Sequence, residues 1–437
     1  MRLIFINRYF HPDLSATSEM LSGLAFALSR RGVLVTIITS RLRYEDGKNH
    51  YLPSETIEGL RVHRVWTSRL GRSLILGRTI DYLSFLFAAA WQLWRLARPG
   101  DVIVAKTDPP LLSVMVAPIA KLKGAKLVNW LQDLFPEVAE ALNFGGRFGR
   151  VAFKLMHPFR DWSLRRADMN VVVGDGMAAR LRGLGVSREN ISVIHNWADG
   201  ALVAPIKPAQ NVLRARWAPE GQFVVVYAGN LGRAHDIDSL IEAMTILSKR
   251  GTNSPTHDIT RQILFIFVGG GAQRARLERA VLQRGLTNVR LHPYQPRELL
   301  AEALGVADLH LVSLNPKLEG LVVPSKFYGI AAAGRPTLFI GAPDGEIARL
   351  IGEAKCGVAV SPGDAEGLVN HILRLARAPQ LRADMGARAR AAFEQRWTKE
   401  RAVEKWEQVL SAAADLDPDK PVEEMVLGSE TGSLPRT

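Results

Sequence analysis

Short, almost wholly apolar runs alternate along this chain with longer stretches in which apolar residues recur every three or four positions. Residues 3–6 form the first apolar run. A polar loop with His11, Pro12, Ser15, Ala16 and Thr17 follows, and then Met20, Leu21, Leu24 and Leu28 stand at helical spacing. Gly32 closes that helix, because glycine takes a left-handed cap without steric cost, and the second apolar run spans 33–38. Strand, loop, helix and strand in that order make a βαβ unit. The runs are continuous rather than alternating, which predicts strands covered on both faces and therefore a parallel sheet between helix layers. Runs at 101–105, 125–129 and 169–173 extend the same sheet.

The pattern restarts after residues 199–219, a segment with three prolines that reads as a linker. Runs at 223–228, 263–268, 309–313, 337–340 and 357–360 predict strands, with helices at 237–249 and 275–283 between them. Residues 1–200 and 201–410 are therefore expected to form two doubly wound α/β domains, Rossmann-like in organisation, that face each other across a cleft. Residues 251–261 are polar and read as a surface loop. Residues 411–437 hold two basic and six acidic residues among Pro, Gly and Ser, and read as a disordered acidic tail.

Composition narrows the classes. The chain has 437 residues, 47% apolar and 23% charged, which suits two or three ordinary globular domains. Cys356 is the only cysteine, which excludes a disulfide framework and a cysteine-based zinc site and fits a reducing, cytoplasmic setting. The first apolar run is too short for the roughly 7–15 residues of a signal-peptide core. The longest charge-free stretch, Tyr82 to Trp94, falls short of the roughly 20 residues that a spanning helix needs. Net charge is +13 and uneven: residues 1–200 hold 27 Lys and Arg against 17 Asp and Glu. A basic first half calls for an anionic partner. Residues 81–95, with Phe85, Phe87, Trp91 and Trp94 between flanking arginines, read either as a helix packed in a core or as an interfacial helix on an anionic bilayer. The Trp and Phe positions read as core rather than as a stacking strip, so no nucleic-acid partner is expected.

Ligands of open α/β sheets bind beyond the carboxyl ends of the strands, so the loops there carry the candidates. Gly229, Asn230, Gly232 and Arg233 follow the run at 223–228. Small residues at a helix start let backbone amides approach an anion, and Arg233 offers a fork to phosphate oxygens; a plain tight turn uses the same glycines. Gly270 is the centre of a second glycine-rich turn after 263–268. Glu319 opens a segment in which Ser325 is a natural N-cap. Lys326 stands one residue inside that cap, where the helix dipole alone favours an acid, so a cation there suits a diphosphate. Asp133 and Glu137 are acid–base or hydroxyl-binding candidates, with helix capping as their other use. His195, Asn196 and Trp197 close the first half at its cleft edge. Metalloprotease, P-loop and nucleophile-elbow signatures are absent from the sequence.

In chain order, His11-Pro12-Asp13, residues 130–137, Ile194-His195-Asn196-Trp197, residues 227–232, residues 268–271, and residues 323–326 followed by Gly334-Arg335-Pro336 together resemble the family-4 retaining glycosyltransferases of the GT-B fold. Within them the chain is similar to the branch that builds bacterial surface polysaccharides, such as the colanic-acid and O-antigen fucosyl- or N-acetylfucosaminyltransferases. The resemblance extends over residues 1–410. It implies transfer of a sugar, with retention, from a UDP- or GDP-sugar held by the second domain to an acceptor on the first. It further implies that Gly229, Asn230, Ser325 and Lys326 belong to the donor site and that Asp133 lies near the reacting sugar; Gly232, Arg233 and Gly270 join them as donor-binding candidates, and Glu319 and Lys326 join Asp133 as catalytic candidates. No metal or other cofactor is implied, since helix ends and basic side chains can neutralise the diphosphate. The implied acceptor is a polyprenyl-diphosphate-linked saccharide, and the implied location the inner face of the cytoplasmic membrane. One departure stands out. Relatives carry two glutamates eight positions apart, whereas Phe327 lies eight after Glu319, and alignment on Gly334 and Pro336 puts Gly329 in the second glutamate's place. Two rival readings follow: a nucleotide-sugar epimerase of the same architecture, and a catalytically degenerate scaffold.

Overall fold

The computed structural model describes residues 1–13, 15–44, 50–71, 75–253 and 259–415. Two sheets organise them. The first contains β1 (Arg2–Ile6), β2 (Leu34–Ser40), β3 (Ser54–Ile57), β4 (Leu60–Val65), β5 (Val102–Lys106), β6 (Lys126–Leu131), β7 (Met169–Val172) and β8 (Ile191–Val193). Their spatial order is β3-β4-β2-β1-β5-β6-β7-β8. The second contains β9 (Phe223–Ala228), β10 (Ile263–Val268), β11 (Val289–His292), β12 (Leu309–Ser313), β13 (Thr337–Ile340) and β14 (Gly357–Val360), ordered β11-β10-β9-β12-β13-β14. Pairing is parallel throughout except between β3 and β4. The expected pair of doubly wound α/β units is the fold.

Both faces of each central strand are buried, as the unbroken apolar runs require. In β1, Leu3 and Phe5 enter one core cluster while Ile4 and Ile6 enter another across the sheet. In β9, Val225 and Tyr227 face one core, and Val224 and Val226 the other. Strand order reverses between β1 and β5 in the first sheet and between β9 and β12 in the second. A crevice forms at such a switch point, because the flanking connections leave in opposite directions. A fifth core cluster joins the two units: Leu131, Leu134 and Met177 from the first share it with Leu318, Leu321, Phe327 and Ile347 from the second.

The boundary expected at residue 410 is corrected by the last helix. Lys399–Asp415 returns to the first sheet, where fully buried Trp406 packs 4.6 Å from Trp130 of β6. Arg31 pairs with Glu407, and Lys399 with Asp199 at 2.5 Å. Residues 411–415, assigned to the tail on composition, are helical, and Ala413 is buried; residues 416–437 lie outside the described ones. Apolar anchors spaced at 402, 403, 406, 409 and 410 provide the physical reason.

The apolar stretch at 81–95 lies in the helix Ile75–Leu96 and has two faces rather than one. Phe85 and Leu93 are fully buried, whereas Phe87, Trp91 and Trp94 are exposed. Among the described residues no helix is long and apolar enough to cross a membrane.

Trp406 is the anchor that holds the last helix on the first unit. Trp406→Ala should cost about 3–5 kcal/mol by leaving a cavity under Trp130. Chemical denaturation measures this; a loss below about 1 kcal/mol would show that the helix docks without it.

Candidate functional site

The loops after β9, β10 and β12 meet at Lys326. Gly229 has φ +113°, and a Cβ built there would lie 2.8 Å from Lys326 Cε. The absent side chain is what lets the lysine stem lie on the strand end. Gly269, at φ +123°, brings the next loop onto the same backbone: a Cβ there would stand 2.5 Å from the Gly229 carbonyl oxygen. Leu231 N–H donates to the Gly270 carbonyl at 2.7 Å, and the Gln273 amide donates to the Gly232 and His235 carbonyls. The three glycines Gly229, Gly232 and Gly270 are therefore brought together, with Asn230 exposed at the tip of the loop.

Lys326 Nζ ends 3.4 Å from His235 Nε2 and 5.3 Å from the Tyr227 ring centroid. His235 Nδ1 lies 2.7 Å from the Ser313 carbonyl oxygen, which assigns the ring proton to Nδ1 and leaves Nε2 as the acceptor facing the amine. Burial, and then the charge of Lys326, push the His235 imidazolium down to about 4. Burial brings the Lys326 ammonium down to about 8. The result is a neutral imidazole beside an amine that stays cationic at neutral pH with no carboxylate paired to it among the described residues.

Ser325 directly precedes Lys326, but its expected cap is corrected. Ser325 already has helical geometry, φ −65° and ψ −20°, and its hydroxyl caps no amide. Its carbonyl instead accepts from Tyr328 N–H. Arg233 does not join the Lys326 group either. Its guanidinium is exposed and lies 5.1 Å from the Phe144 ring of the first unit, across the crevice.

Glu319 is corrected as well. Its Oε1 accepts the Glu346 N–H at 2.7 Å, so it caps the start of the helix Glu346–Ala354, and its backbone carbonyl accepts from Arg180 of the first unit. Its Oε2 is buried without a hydrogen-bond partner. No described contact links it to Asp133 or Lys326.

Asp133 sits where the two units touch. It forms an antiparallel bridge with Val322, and Leu134 N–H donates to the Leu321 carbonyl at 2.9 Å. This places it beside the segment that leads into Ser325. Burial raises its carboxyl to about 6, against a hydrogen bond from Thr107 and the charge of Lys106. Such a group changes charge close to neutrality. Glu137, by contrast, is held by a two-pronged ion pair to Arg160 and is not available as an acid or base.

Composition and spacing alone did not single out Lys106, Tyr227 or His235 as site groups. Lys106 ends β5 fully buried, with Nζ 3.4 Å from the Trp130 ring centroid and no hydrogen-bond partner. Burial holds its ammonium well below the usual lysine range, opposed by Asp108 and Asp133. The signal for it was a charged residue closing a wholly apolar strand. For His235, the signal was a titratable residue three positions after the turn at Gly232.

One group of potential metal ligands stands elsewhere. Asp175, His195 and Glu346 bring ligand atoms within 4.8 Å of one another. Arg349 already pairs with Asp175 at 2.6 Å and with Glu346 at 2.7 Å, and His195 Nε2 lies 3.3 Å from Glu346 Oε1. This is an ion-pair cluster between the units, with a cation already at its centre. Trp197, beside His195 in the sequence, stacks on Trp130 at 5.9 Å and is core.

Residues 16–197 match the family model of the glycosyl transferase 4-like domain, and residues 210–392 that of glycosyl transferases group 1. WcaI of Escherichia coli (strain K12), named for a glycosyl transferase of colanic acid biosynthesis, is 27% identical over 392 residues, 84% of this chain and 90% of that relative. Among solved structures, sucrose-phosphate synthase from Thermosynechococcus elongatus superposes with a TM-score of 0.72 at 18% identity, covering 94% of this chain and 99% of that one. HepE of Anabaena, solved with UDP-glucose, gives 0.67 at 17% identity, covering 94% and 100%. The two family models together span most of the chain, and the chain belongs to the family-4 glycosyltransferases of the GT-B fold.

Proposed function

We propose that this glycosyltransferase takes a sugar from a nucleotide-diphosphate donor, with retention at the anomeric carbon, and adds it to a lipid-linked saccharide during surface polysaccharide synthesis. The observation that carries the reading is the Lys326 ammonium, held on Gly229 beside neutral His235 at the carboxyl ends of β9 and β12. A UDP- or GDP-sugar is the donor class that suits it, and HepE was solved with UDP-glucose. As the bond from the anomeric carbon breaks, its electron pair leaves on the diphosphate, whose charge Lys326 and the loop amides at Gly229–Gly232 meet. The acceptor oxygen bonds to the same face, and the proton of that hydroxyl passes to the Asp133 carboxylate. The Lys326 cation stands in for a divalent ion in this scheme, so no metal is needed. The saccharide class follows the name of WcaI.

An epimerase reading of the same crevice would release nucleotide without an acceptor, and a scaffold would bind donor without turnover. Release of nucleotide that depends on acceptor selects the transferase.

The first unit supplies the lipid side of the proposal. Ile80, Leu83, Phe87, Trp91 and Trp94 form an exposed stripe on the helix Ile75–Leu96. Val151, Leu155, Phe159 and Trp162 form a second on the helix Gly146–Arg166. The two helices pack on opposite sides of the helix Leu112–Lys123, whose Leu122 is 73% exposed. Exposed Arg78, Arg95, Arg98, Lys121, Lys154 and Arg166 border the stripes. An apolar band with a cationic rim matches an anionic bilayer surface, and we assign it to peripheral attachment at the cytoplasmic face.

Lys326→Ala should lower kcat about 10²–10³-fold, and kcat more than it raises donor KM, because the contact strengthens as the diphosphate gains charge. Turnover assayed in EDTA should persist. The rate should be highest between about pH 6 and about pH 8, falling below as Asp133 takes a proton and above as Lys326 loses one. Lys326→Met should also raise stability below about pH 8. The folded amine has the lower pKa, so the unfolded chain binds more protons and the charged amine opposes folding there. That advantage should shrink as pH rises from about 8 towards the ordinary lysine value. A variant that works within a few-fold of wild type would make Lys326 a bystander.

Phe87→Asp with Trp91→Asp, or Leu155→Asp with Phe159→Asp, should release the protein from anionic vesicles in co-sedimentation while leaving its melting temperature unchanged, since all four side chains are exposed. Wild-type binding should weaken with salt. Equal binding to neutral vesicles at high salt would defeat the electrostatic part.

A further inference from the structure

Arg8 is a buried cation that the transferase chemistry described above does not use. It follows β1 directly, is 7% exposed, and its Nε is buried without a hydrogen-bond partner. No ion pair or side-chain hydrogen bond engages its guanidinium among the described residues. Its backbone is fixed on both sides: Arg8 N–H donates to the Asp108 carbonyl at 2.7 Å, and its own carbonyl accepts from Ser40 N–H and the Thr39 hydroxyl. The guanidinium carbon lies 4.9 Å from the Tyr82 ring centroid and 5.3 Å from that of Tyr9. A second guanidinium shares Tyr82. Exposed Arg78 lies 5.3 Å from the same centroid and donates through Nε to the phenol oxygen at 2.9 Å.

Two cations on one aromatic ring repel each other, and a buried one without a carboxylate opposes folding. The adjacent carboxylate, Asp81, does not relieve them. It accepts from the Ser68 hydroxyl at 2.6 Å and from the Leu70 and Gly71 amides at 3.0 and 3.2 Å. An anion from outside would relieve both cations, and rigid guanidinium forks suit phosphate oxygens. Tyr82 also fixes what that anion is attached to. It belongs to the helix Ile75–Leu96, and the exposed apolar stripe starts beside it at Leu83 and runs on through Phe87, Trp91 and Trp94. On the inner side, Arg8 stands at the carboxyl end of β1, next to β5 and its Lys106–Asp108 loop. The anion therefore has an apolar track on one side and the acceptor edge of the crevice on the other.

We propose that Arg8, Tyr82 and Arg78 form the binding site for the phosphate-ester head group of a lipid-linked acceptor, with the lipid lying along the Leu83–Trp94 stripe and the sugar reaching towards Asp133. This rests on the transferase reading for its role, but not for its test.

The probe is farnesyl diphosphate, titrated into the full chain by calorimetry, with farnesol, inorganic diphosphate and phosphatidylglycerol vesicles as controls. Arg8→Met and Arg78→Gln should each weaken farnesyl diphosphate about tenfold or more, the loss typical of a charge-assisted contact. Farnesol binding should be unchanged in both variants. Inorganic diphosphate should bind more weakly than the lipid form, and vesicle binding should fall less than farnesyl diphosphate binding. Arg8→Met should melt at or above the wild-type temperature, which a merely structural arginine would not permit. Lys326→Ala should bind the probe like wild type. Unchanged affinity in both arginine variants, equal losses for farnesol, or a loss that instead follows Lys326→Ala would overturn the site. Should the wild type turn over a donor yet ignore the probe, the site fails and the transferase reading stands. Arginine-dependent binding without any sugar transfer would leave the site standing and remove the transferase reading.

Discussion

The contact between the Lys326 stem and the backbone of Gly229 is the constraint from which the rest of the donor side follows. A lysine can approach a strand end this closely only where no Cβ intervenes, and Gly229 at φ +113° provides that. The same opening lets Gly269 touch the Gly229 carbonyl, so loops from two strands are locked to the amine from a third. Burial lowers the amine's proton affinity, and burial of His235, with the lysine's charge second, keeps the imidazole neutral. A half-buried cation whose hydrogen-bonding neighbour among the described residues is a neutral imidazole has most of its binding capacity unspent. That is the electrostatic state a site needs before an anionic donor arrives.

The Asp133 side of the crevice is built by a different route. Asp133 is fixed by backbone pairing across the crevice, to Val322, while Thr107 holds its carboxyl by a hydrogen bond. Its loop and the loop leading to Lys326 are therefore one mechanical unit, joined by the shared core of Leu134, Leu318 and Leu321. A carboxyl poised near 6 and an ammonium poised near 8 are thus set by burial on two sheets whose relative position that core maintains.

Much of the fold was legible because central parallel strands must be apolar on both faces, and β1, β5, β9 and β10 are. The edges were not. β3 and β4 pair antiparallel and carry Arg61, His63 and Arg64, so their pattern is half polar and blends with loop sequence. The last helix was assigned to the wrong unit because periodicity reveals an apolar face but not which sheet covers it; only contact with Trp130 decides that. In the candidate site, the two loops that carry Gly229 and Lys326 were legible as strand-end turns, and the structure packs them together. Glu319 and Ser325 misled for the same reason: a residue type suited to a role took a backbone partner or a backbone conformation that removed it from that role. Phe87 and Phe85, two positions apart, divide between surface and core, which composition cannot distinguish.

The arrangement of buried cations separates structure from function more sharply than any motif. Where a cation serves the fold, it is paired: Arg160 with Glu137, Arg64 with Glu55, Arg214 with Asp308, and Arg335 with the carbonyls of Ile206 and Gly305. Arg8, Lys106 and Lys326 have no such ion pair among the described residues, and Nε of Arg8 and Nζ of Lys106 are buried without any hydrogen bond. If unpaired cations were accidents of packing, they would be scattered. Instead Arg8 follows β1, Lys106 ends β5, and Lys326 leans on the end of β9, so all three stand at carboxyl strand ends beside a switch point. These three cations stand at the edges where the fold itself places ligands, and a local rule of stability broken at such an edge is what an anion-binding role requires.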